Sequence, residues 1–311
     1  MENTTHFDVI ILGGGAAGLT AGIYLSRAKM NTLIINEGTA GGQMVLTHEI
    51  ANYPGVESIG GYMLGSTMRQ QATTFGATIL SNSKILTLDI KSEIKSIEIA
   101  RKGKFTSDSI IIATGGRSRP LNVPGEDAFK GRGISYCATC DGDFFQDKNI
   151  IVVGGGNSAL EEAVSLTKYA SKVKVVHQFD HFQALEHYID EAKANPKIEF
   201  IMESEVAEFY GDDKLTGVKI KNMKTNEFSE MNIDGVFVLI GYIPNTEMFE
   251  GILELTDRKE IITTRDMETN IPGVFAAGDC TAKKYRQVTT AVADGTIAGL
   301  ASVEYLSYKK K

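Results

Sequence analysis

The sequence predicts an α/β protein made of two doubly wound units, the second inserted in the first, and three observations lead there. An apolar run, Asp8-Val9-Ile10-Ile11-Leu12, breaks into Gly13-Gly14-Gly15-Ala16-Ala17-Gly18 and continues with helical spacing at Leu19, Ile23, Tyr24 and Leu25. The same strand, glycine turn and helix recur at Asn149-Ile150-Ile151-Val152-Val153, Gly154-Gly155-Gly156-Asn157-Ser158-Ala159 and residues 160–169. After a strand at 237–240, residues 271–279 and a last helix ending before Lys309 read as a return to the first unit. The expected domains are therefore residues 1–117 with 245–311, discontinuous, and a central domain at 118–244.

In the first unit, glycines at 13, 15 and 18 let the chain turn tightly, admit a pyrophosphate close to the backbone and pack helix on strand. A second strand over residues 31–35 leads to Asn36 and Glu37, about twenty residues past the last glycine, where a carboxylate takes ribose hydroxyls. Both units are thus expected to be Rossmann-like, of the FAD/NAD(P)-binding type. Gly13, Gly15, Ala16, Ala17, Gly18, Asn36 and Glu37 are candidate cofactor-binding residues of the first. Next come Gly41-Gly42-Gln43 and Asn52-Tyr53-Pro54-Gly55, a loop of turn residues and amides that is costly to order unless it holds something. Gly42, Gln43 and Asn52 join the candidates, with a plain connecting loop as the alternative. Residues 61–75 read as a helix and 79–112 as alternating strands ending in Ala113-Thr114-Gly115-Gly116, of which Thr114 and Gly115 are candidates. Residues 117–123, with Pro120 and then Pro124-Gly125, break the periodicity as a linker. Near the end, Gly278 and Asp279 form a turn in which Asp279 would accept from a ribityl hydroxyl, while Arg286, Gln287 and Val288 offer donors to a flavin ring.

Just before the second unit stands Tyr136-Cys137-Ala138-Thr139-Cys140-Asp141. Two residues between cysteines let the sulfurs meet, one thiolate being stabilised by its neighbourhood while a disulfide forms and opens reversibly. Such exchange moves protons, and Asp141 is placed to carry them. Half of a zinc site is the alternative, but the three Cys and five His of the chain show no ligand spacing that would complete it. Cys137, Cys140 and Asp141 are therefore the candidate catalytic residues. Cys280 has no partner at useful spacing and reads as structural. His48 reads as a satisfied loop histidine, with a proton relay as the alternative.

A chain of 311 residues has room for about two domains, and its 42% hydrophobic and 23% charged residues are those of an ordinary globular protein. The net charge of -7 argues against nucleic acid or an anionic membrane surface as partner. No long apolar run and no leader pattern opens the chain, so a cytoplasmic protein is expected.

With these residues in view, the chain resembles the low-molecular-weight, bacterial-type thioredoxin reductases over essentially its whole length. The matching pieces are the glycine turn at 13–18, Gly41-Gly42-Gln43, Asn52-Tyr53-Pro54-Gly55, Ala113-Thr114-Gly115, Val123-Pro124-Gly125, the Cys137 to Asp141 motif, residues 240–246, Gly278-Asp279 and Arg286-Gln287. The resemblance implies FAD on the split domain, a homodimer, and a Cys137–Cys140 disulfide that flavin reduces and thioredoxin oxidises. It also implies that Asp141 moves protons to and from the thiols, and that the domains rotate about linkers near Gly116 and Gly241.

One departure bears on the electron donor. NADPH-using members end the strand after the second glycine turn in His-Arg-Arg, with a third Arg four residues on, and those arginines hold the 2'-phosphate. Here the stretch reads His177-Gln178-Phe179-Asp180-His181-Phe182-Gln183. Each charge-assisted contact contributes roughly 1.5 to 3 kcal/mol, so losing two or three weakens NADPH by about 3 to 6 kcal/mol. NADH is not rescued, since neither His177 nor Gln178 is the acidic residue a ribose site wants. The expectation is that NADPH is not the donor, the alternative being a phosphate site rebuilt from Lys193 and Lys197. In this respect the chain resembles the ferredoxin-dependent flavin thioredoxin reductases of anaerobes such as clostridia, which implies reduced ferredoxin as partner. Lys283, Lys284, Arg286, Arg117 and Arg119 are the residues for a basic patch to receive it, with scattered solubilising charge as the alternative. A flavin dithiol oxidase and a non-enzymatic redox-sensing flavoprotein stand as further alternatives.

Overall fold

The computed structural model describes residues 4–38, 40–47 and 49–309, without the side chain of Leu46. In chain order the elements are β1 (Thr5–Leu12), α1 (Ala16–Arg27), β2 (Thr32–Ile35), α2 (Gly61–Thr74), β3 (Thr78–Leu80), β4 (Ile85–Asp89), β5 (Lys95–Ile99), β6 (Gly103–Ile112) and β7 (Gly116–Ser118). They continue with α3 (Glu126–Phe129), β8 (Ile134–Ser135), α4 (Ala138–Asp141), β9 (Asn149–Val153), α5 (Asn157–Leu166), β10 (Lys172–Val176), α6 (Glu186–Ala194) and β11 (Ile198–Ile201). The remainder is β12 (Ser204–Gly211), β13 (Leu215–Asn222), β14 (Phe228–Asn232), β15 (Gly235–Val238), β16 (Tyr242–Pro244), β17 (Val274–Ala276) and α7 (Val288–Lys309). The chain divides into two compact units, Met1–Arg117 with Ile243–Lys311, and Ser118–Tyr242.

The outer unit is built on a sheet ordered β3-β2-β1-β6-β5-β4. Strand β6 pairs in parallel with β1 on one edge; on the other it pairs antiparallel with β5 and then, at Ile110 to Ile112, in parallel with β17. Strands covered on both faces need apolar residues at every position, which is why β1 and β2 read as continuous runs. Val9, Ile11, Ile34 and Ile111 face Leu19 and Leu25 of α1, Leu64 and Met68 of α2, and Leu306 of α7. Ile10, Leu12, Leu33 and Ile35 face the other way, toward Ile97, Ile99, Phe249 and Ile261. Each such fully buried side chain contributes about 1.5–3 kcal/mol.

The glycine turn follows from close approach. Gly13 has φ 111°, and a Cβ there would stand 2.1 Å from the Ala113 carbonyl oxygen. A Cβ on Gly18 would stand 1.9 Å from the Gly13 oxygen. Only glycine lets α1 start so close to β1 and β6.

The central unit has a five-stranded parallel sheet, β11-β10-β9-β15-β8, and a three-stranded antiparallel sheet, β12-β13-β14. Ile150 and Val152 of β9 pack with Leu160, Ala163 and Leu166 of α5, while Ile151 and Val153 pack with Val206, Phe209, Val218 and Ile220. The antiparallel sheet had no counterpart in the sequence reading, because its strands carry few apolar residues on the exposed side: β14 is nearly all exposed. Two expected bounds shift. The helix after the second glycine turn begins at Asn157 and ends at Leu166, since Gly156 is already extended as its N-cap and Thr167 closes it. The last helix runs through Lys309, whose ammonium pairs with Glu93 and Asp108.

Candidate active site

In the outer unit, α1 starts from Gly15 in extended conformation with no side-chain cap on its first turn. Its leading N–H groups therefore have no side-chain acceptor, and they carry the positive end of the helix dipole. Gly42 opens a 3-10 turn, Gly42–Leu46, so close by that a Cβ on it would stand 2.9 Å from the Gly15 Cα. A Cβ on Gly278 would stand 2.9 Å from that of Ala17. Gly13, Gly15, Ala16, Ala17, Gly18, Gly42 and Gly278 are thus brought together around one helix N-terminus, a cradle that added side chains would fill. Glu37 lies exposed past the end of β2. These residues fit a dinucleotide such as FAD: bare N–H groups for the pyrophosphate and a carboxylate for the ribose.

The remaining candidates have specific partners. Asn36 accepts from Gly14 N–H at 2.9 Å and donates to the Gly38 carbonyl at 2.8 Å, so its amide holds the glycine turn in shape. Thr114 donates to the Asn245 carbonyl at 2.7 Å, and Asn245 donates back to the Thr114 carbonyl at 2.9 Å and, through its backbone, to the Gly115 carbonyl at 2.9 Å. Asn52 donates to the Gln287 side-chain oxygen at 3.4 Å, which joins the amide loop to the residues ahead of α7. Gln43 is exposed, and Val288 is the first residue of α7. Burial pushes the Asp279 carboxyl up; Lys283 and Arg286 oppose this and Asp294 adds to it. His48 lies outside the described residues.

The residues of the expected basic patch divide between buried and exposed: Arg117, Arg119 and Lys284 are exposed, Lys283 and Arg286 are not. Lys283 forms an ion pair with Asp294, and Arg286 with Glu260, all four side chains being largely buried. Arg117 donates to the Asn245 side-chain oxygen and pairs with Glu247 at 3.3 Å. Cations drawn under a surface need a counter-ion, and Lys283 and Arg286 have found theirs within the unit. Lys284 is exposed, its ammonium 5.2 Å from the centre of the Tyr285 ring.

In the central unit, Cys137 and Cys140 are joined as a disulfide, with Cα atoms 5.3 Å apart. Cys137 is the N-cap of α4, and its sulfur accepts from Cys140 N–H at 3.2 Å. A backbone donor aimed at a sulfur favours its thiolate once the bond opens. Ser135, at the end of β8, organises the turn: its hydroxyl donates to Asp141 Oδ2 at 2.5 Å and accepts from Cys137 N–H at 3.1 Å. Burial pushes the Asp141 carboxyl up, Asp143 adds to the shift and the Ser135 hydroxyl opposes it. A carboxyl so raised keeps its proton to a higher pH than an exposed one does. Tyr136 donates to Glu126 at 2.8 Å, and the buried Glu126 also accepts from Leu121 and Asn122 N–H at 2.9 and 2.7 Å. Its hydroxyl pKa is raised by burial and by that carboxylate.

The second glycine turn is covered by its own neighbour. The buried His177 ring lies against Gly155, where a Cβ would come within 2.4 Å of it. Its Nε2 donates to the His181 carbonyl at 3.0 Å, and it sits between Phe179 and Phe182, with ring centres 5.4 and 5.7 Å away. Burial lowers its pKa, which favours the neutral ring. Gln183 N–H donates to the Gly155 carbonyl at 2.8 Å. Exposed Asp180 is paired with His181 at 2.7 Å, a contact that lowers its pKa. Lys197 donates to the Thr167 and Ala170 carbonyls at 2.8 and 3.0 Å, beyond the C-terminus of α5, and Lys193 is exposed on α6. Ser135, Glu162, Glu126, Glu260 and Asp294 were not found from sequence; lone polar residues at no motif spacing, they carry no signal there.

Two dinucleotide-type units, with a Cys-x-x-Cys disulfide and a half-buried carboxyl on the second, define a disulfide oxidoreductase. The family model described as pyridine nucleotide-disulphide oxidoreductase matches residues 7–295. A thioredoxin reductase of Peptoclostridium acidaminophilum is 44% identical, over 98% of each chain. A 34.2 kDa protein in the rubredoxin operon of Clostridium pasteurianum is 41% identical, over 99% of this chain and all of that one. The crystal structure of thioredoxin reductase from Streptococcus pyogenes superposes with a TM-score of 0.93 at 40% identity, covering 98% of this chain and 100% of that one. The chain belongs to the pyridine nucleotide-disulphide oxidoreductase family, among its low-molecular-weight thioredoxin reductases, and is a flavoprotein enzyme. Among the described residues, no helix is long and apolar enough to cross a membrane.

Proposed function

We propose that the enzyme reduces thioredoxin through the Cys137–Cys140 pair with electrons from reduced ferredoxin rather than NADPH, working as a cytoplasmic homodimer. FAD, when bound, supplies a two-electron store that a one-electron carrier fills in two deliveries. The N–H groups at the start of α1 would hold its pyrophosphate, Glu37 its ribose, Asp279 its ribityl chain, and Gln287 and Val288 the ring edge. Gly42, Gln43, Asn52, Thr114 and Gly115 would complete its lining, and Arg286, paired with Glu260, also acts on the Asp279 carboxyl. In the reaction the disulfide takes up two electrons and two protons to become two thiols. Asp141, steadied by Ser135, handles the protons; thioredoxin's disulfide then takes the electrons while the pair closes again.

The observation that carries the donor assignment lies just past the end of β10: exposed Gln178 and Phe179, then Asp180 paired with His181, stand where the arginines would be. A 2'-phosphate would meet an apolar ring and a carboxylate there, and Lys197, one of the two lysines offered in place of the arginines, is held by two carbonyls. The rubredoxin operon of the clostridial relative is in keeping with a one-electron iron protein as partner. Anaerobic mixing with NADPH, NADH or chemically reduced ferredoxin, followed by flavin absorbance, tests this. Ferredoxin bleaches the flavin and the nicotinamides do not; fast bleaching by micromolar NADPH sinks the assignment.

A further inference from the structure

The second glycine turn starts α5, and α5 does more than complete a nucleotide fold. From its middle, Glu162 Oε2 accepts from Ala138 N–H at 2.9 Å, the first peptide after Cys137. Ala138 is buried with Ala159, Leu160, Ala163 and Leu166 of the same helix. At the far side of the dithiol turn, Gly142 fits against Leu166 and Tyr169, where a Cβ would lie 3.1 and 3.3 Å from their side chains. The helix therefore braces the Cys137 to Gly142 turn from both ends.

We propose that Glu162 is a positioning residue for the redox step, holding the Cys-x-x-Cys turn through Ala138 and setting how readily its disulfide is reduced. The inference rests on Cys137 and Cys140 being the redox pair. Opening the disulfide adds two electrons and two protons and yields two thiols, one of which must give up its proton to react further. A carboxylate one peptide from Cys137 opposes that thiolate, and its hydrogen bond keeps the turn in the shape that brings the sulfurs together. Both effects favour the disulfide. The neighbouring charges do not cancel this, since those acting on the two carboxyls are acidic: Glu161 on Glu162, and Asp143 on Asp141. Burial pushes the Glu162 carboxyl up while Ala138 N–H holds it down, so its charge varies with pH. This also gives the second glycine turn a role that needs no nucleotide.

The test uses the flavin-loaded enzyme without electron donor, equilibrated in dithiothreitol buffers of graded ratio, with thiols trapped by alkylation and counted by mass. Glu162→Gln keeps an acceptor for Ala138 N–H and removes the charge; the dithiol is expected to gain about threefold in the equilibrium, about 15 mV. Glu162→Ala removes both and is expected to gain about tenfold, about 30 mV. In Glu162→Gln the pH profile of alkylation moves to lower pH. Glu191→Gln, an exposed carboxyl on α6, leaves both readouts unchanged and controls for net charge. Both Glu162 variants within about twofold of the parent, with an unmoved profile, overturn the inference while the redox pair stands. Failure of the parent pair to open in any buffer overturns both.

Discussion

Asp141 carries two consequences of one environment. Burial raises its pKa above the ordinary 3.8, and the Ser135 hydroxyl at 2.5 Å only partly offsets that. The folded state therefore favours the protonated form. The stability this brings is complete below the unfolded value, 3.8, and is lost as pH rises through the raised folded value. Asp141→Asn never ionises, so its stability relative to the parent grows as pH climbs above 3.8 and then levels off. Melting temperatures at about pH 4 and about pH 7 check the sign; a variant that loses ground on raising pH contradicts it. The same change removes the proton carrier, and thioredoxin reduction is expected to fall by about 100-fold or more. Steady-state rates with thioredoxin measure this, and a rate within a few-fold of the parent relieves Asp141 of the role. Lys283 and Arg286 show the opposite lesson at this scale: basic by composition, they are committed to Asp294 and Glu260 and present little charge outward.

At the scale of elements, the loop following β10 is where this chain departs from a nicotinamide site. The aromatic set His177, Phe179 and Phe182, with Gln183 bonded to Gly155, gives residues 177–183 a compact form of their own. Gln178, Phe179 and Gln183 are all exposed, so longer cationic side chains there meet no wall. Installing Gln178→Arg, Phe179→Arg and Gln183→Arg together is expected to strengthen NADPH by roughly a hundred- to ten-thousand-fold, the worth of two or three charge-assisted contacts. Titration of the oxidised enzyme with NADP+ reads the gain without catalysis; no gain would mean that the missing arginines are not what keeps the nucleotide out.

Over the whole molecule, each unit has its own core on both faces of its sheet, and the outer unit leaves large apolar side chains uncovered. Tyr62 and Met63 on α2 are 59% and 57% exposed, and Leu300 on α7 is 50% exposed. Large apolar side chains left exposed on helices are candidates for an interface, and a homodimer is expected to cover them: light scattering should give twice the 33.7 kDa chain mass, a single-chain mass refuting it. Much of this protein was legible from sequence because backbone conformation is local. The glycine turns, the apolar strands beside them, the Cys137 to Asp141 motif and the missing arginines are all read from residues within one turn of each other. Side-chain partnerships across the chain are not local, and only the tertiary structure decided them. Asn36 turns back onto Gly14 from 22 residues away, Glu162 reaches Ala138 from 24, and Arg286 meets Glu260 from 26. Spacing in sequence says which residues a strand or helix presents, whereas the closure of sheet and helix says which of them come within hydrogen-bond reach.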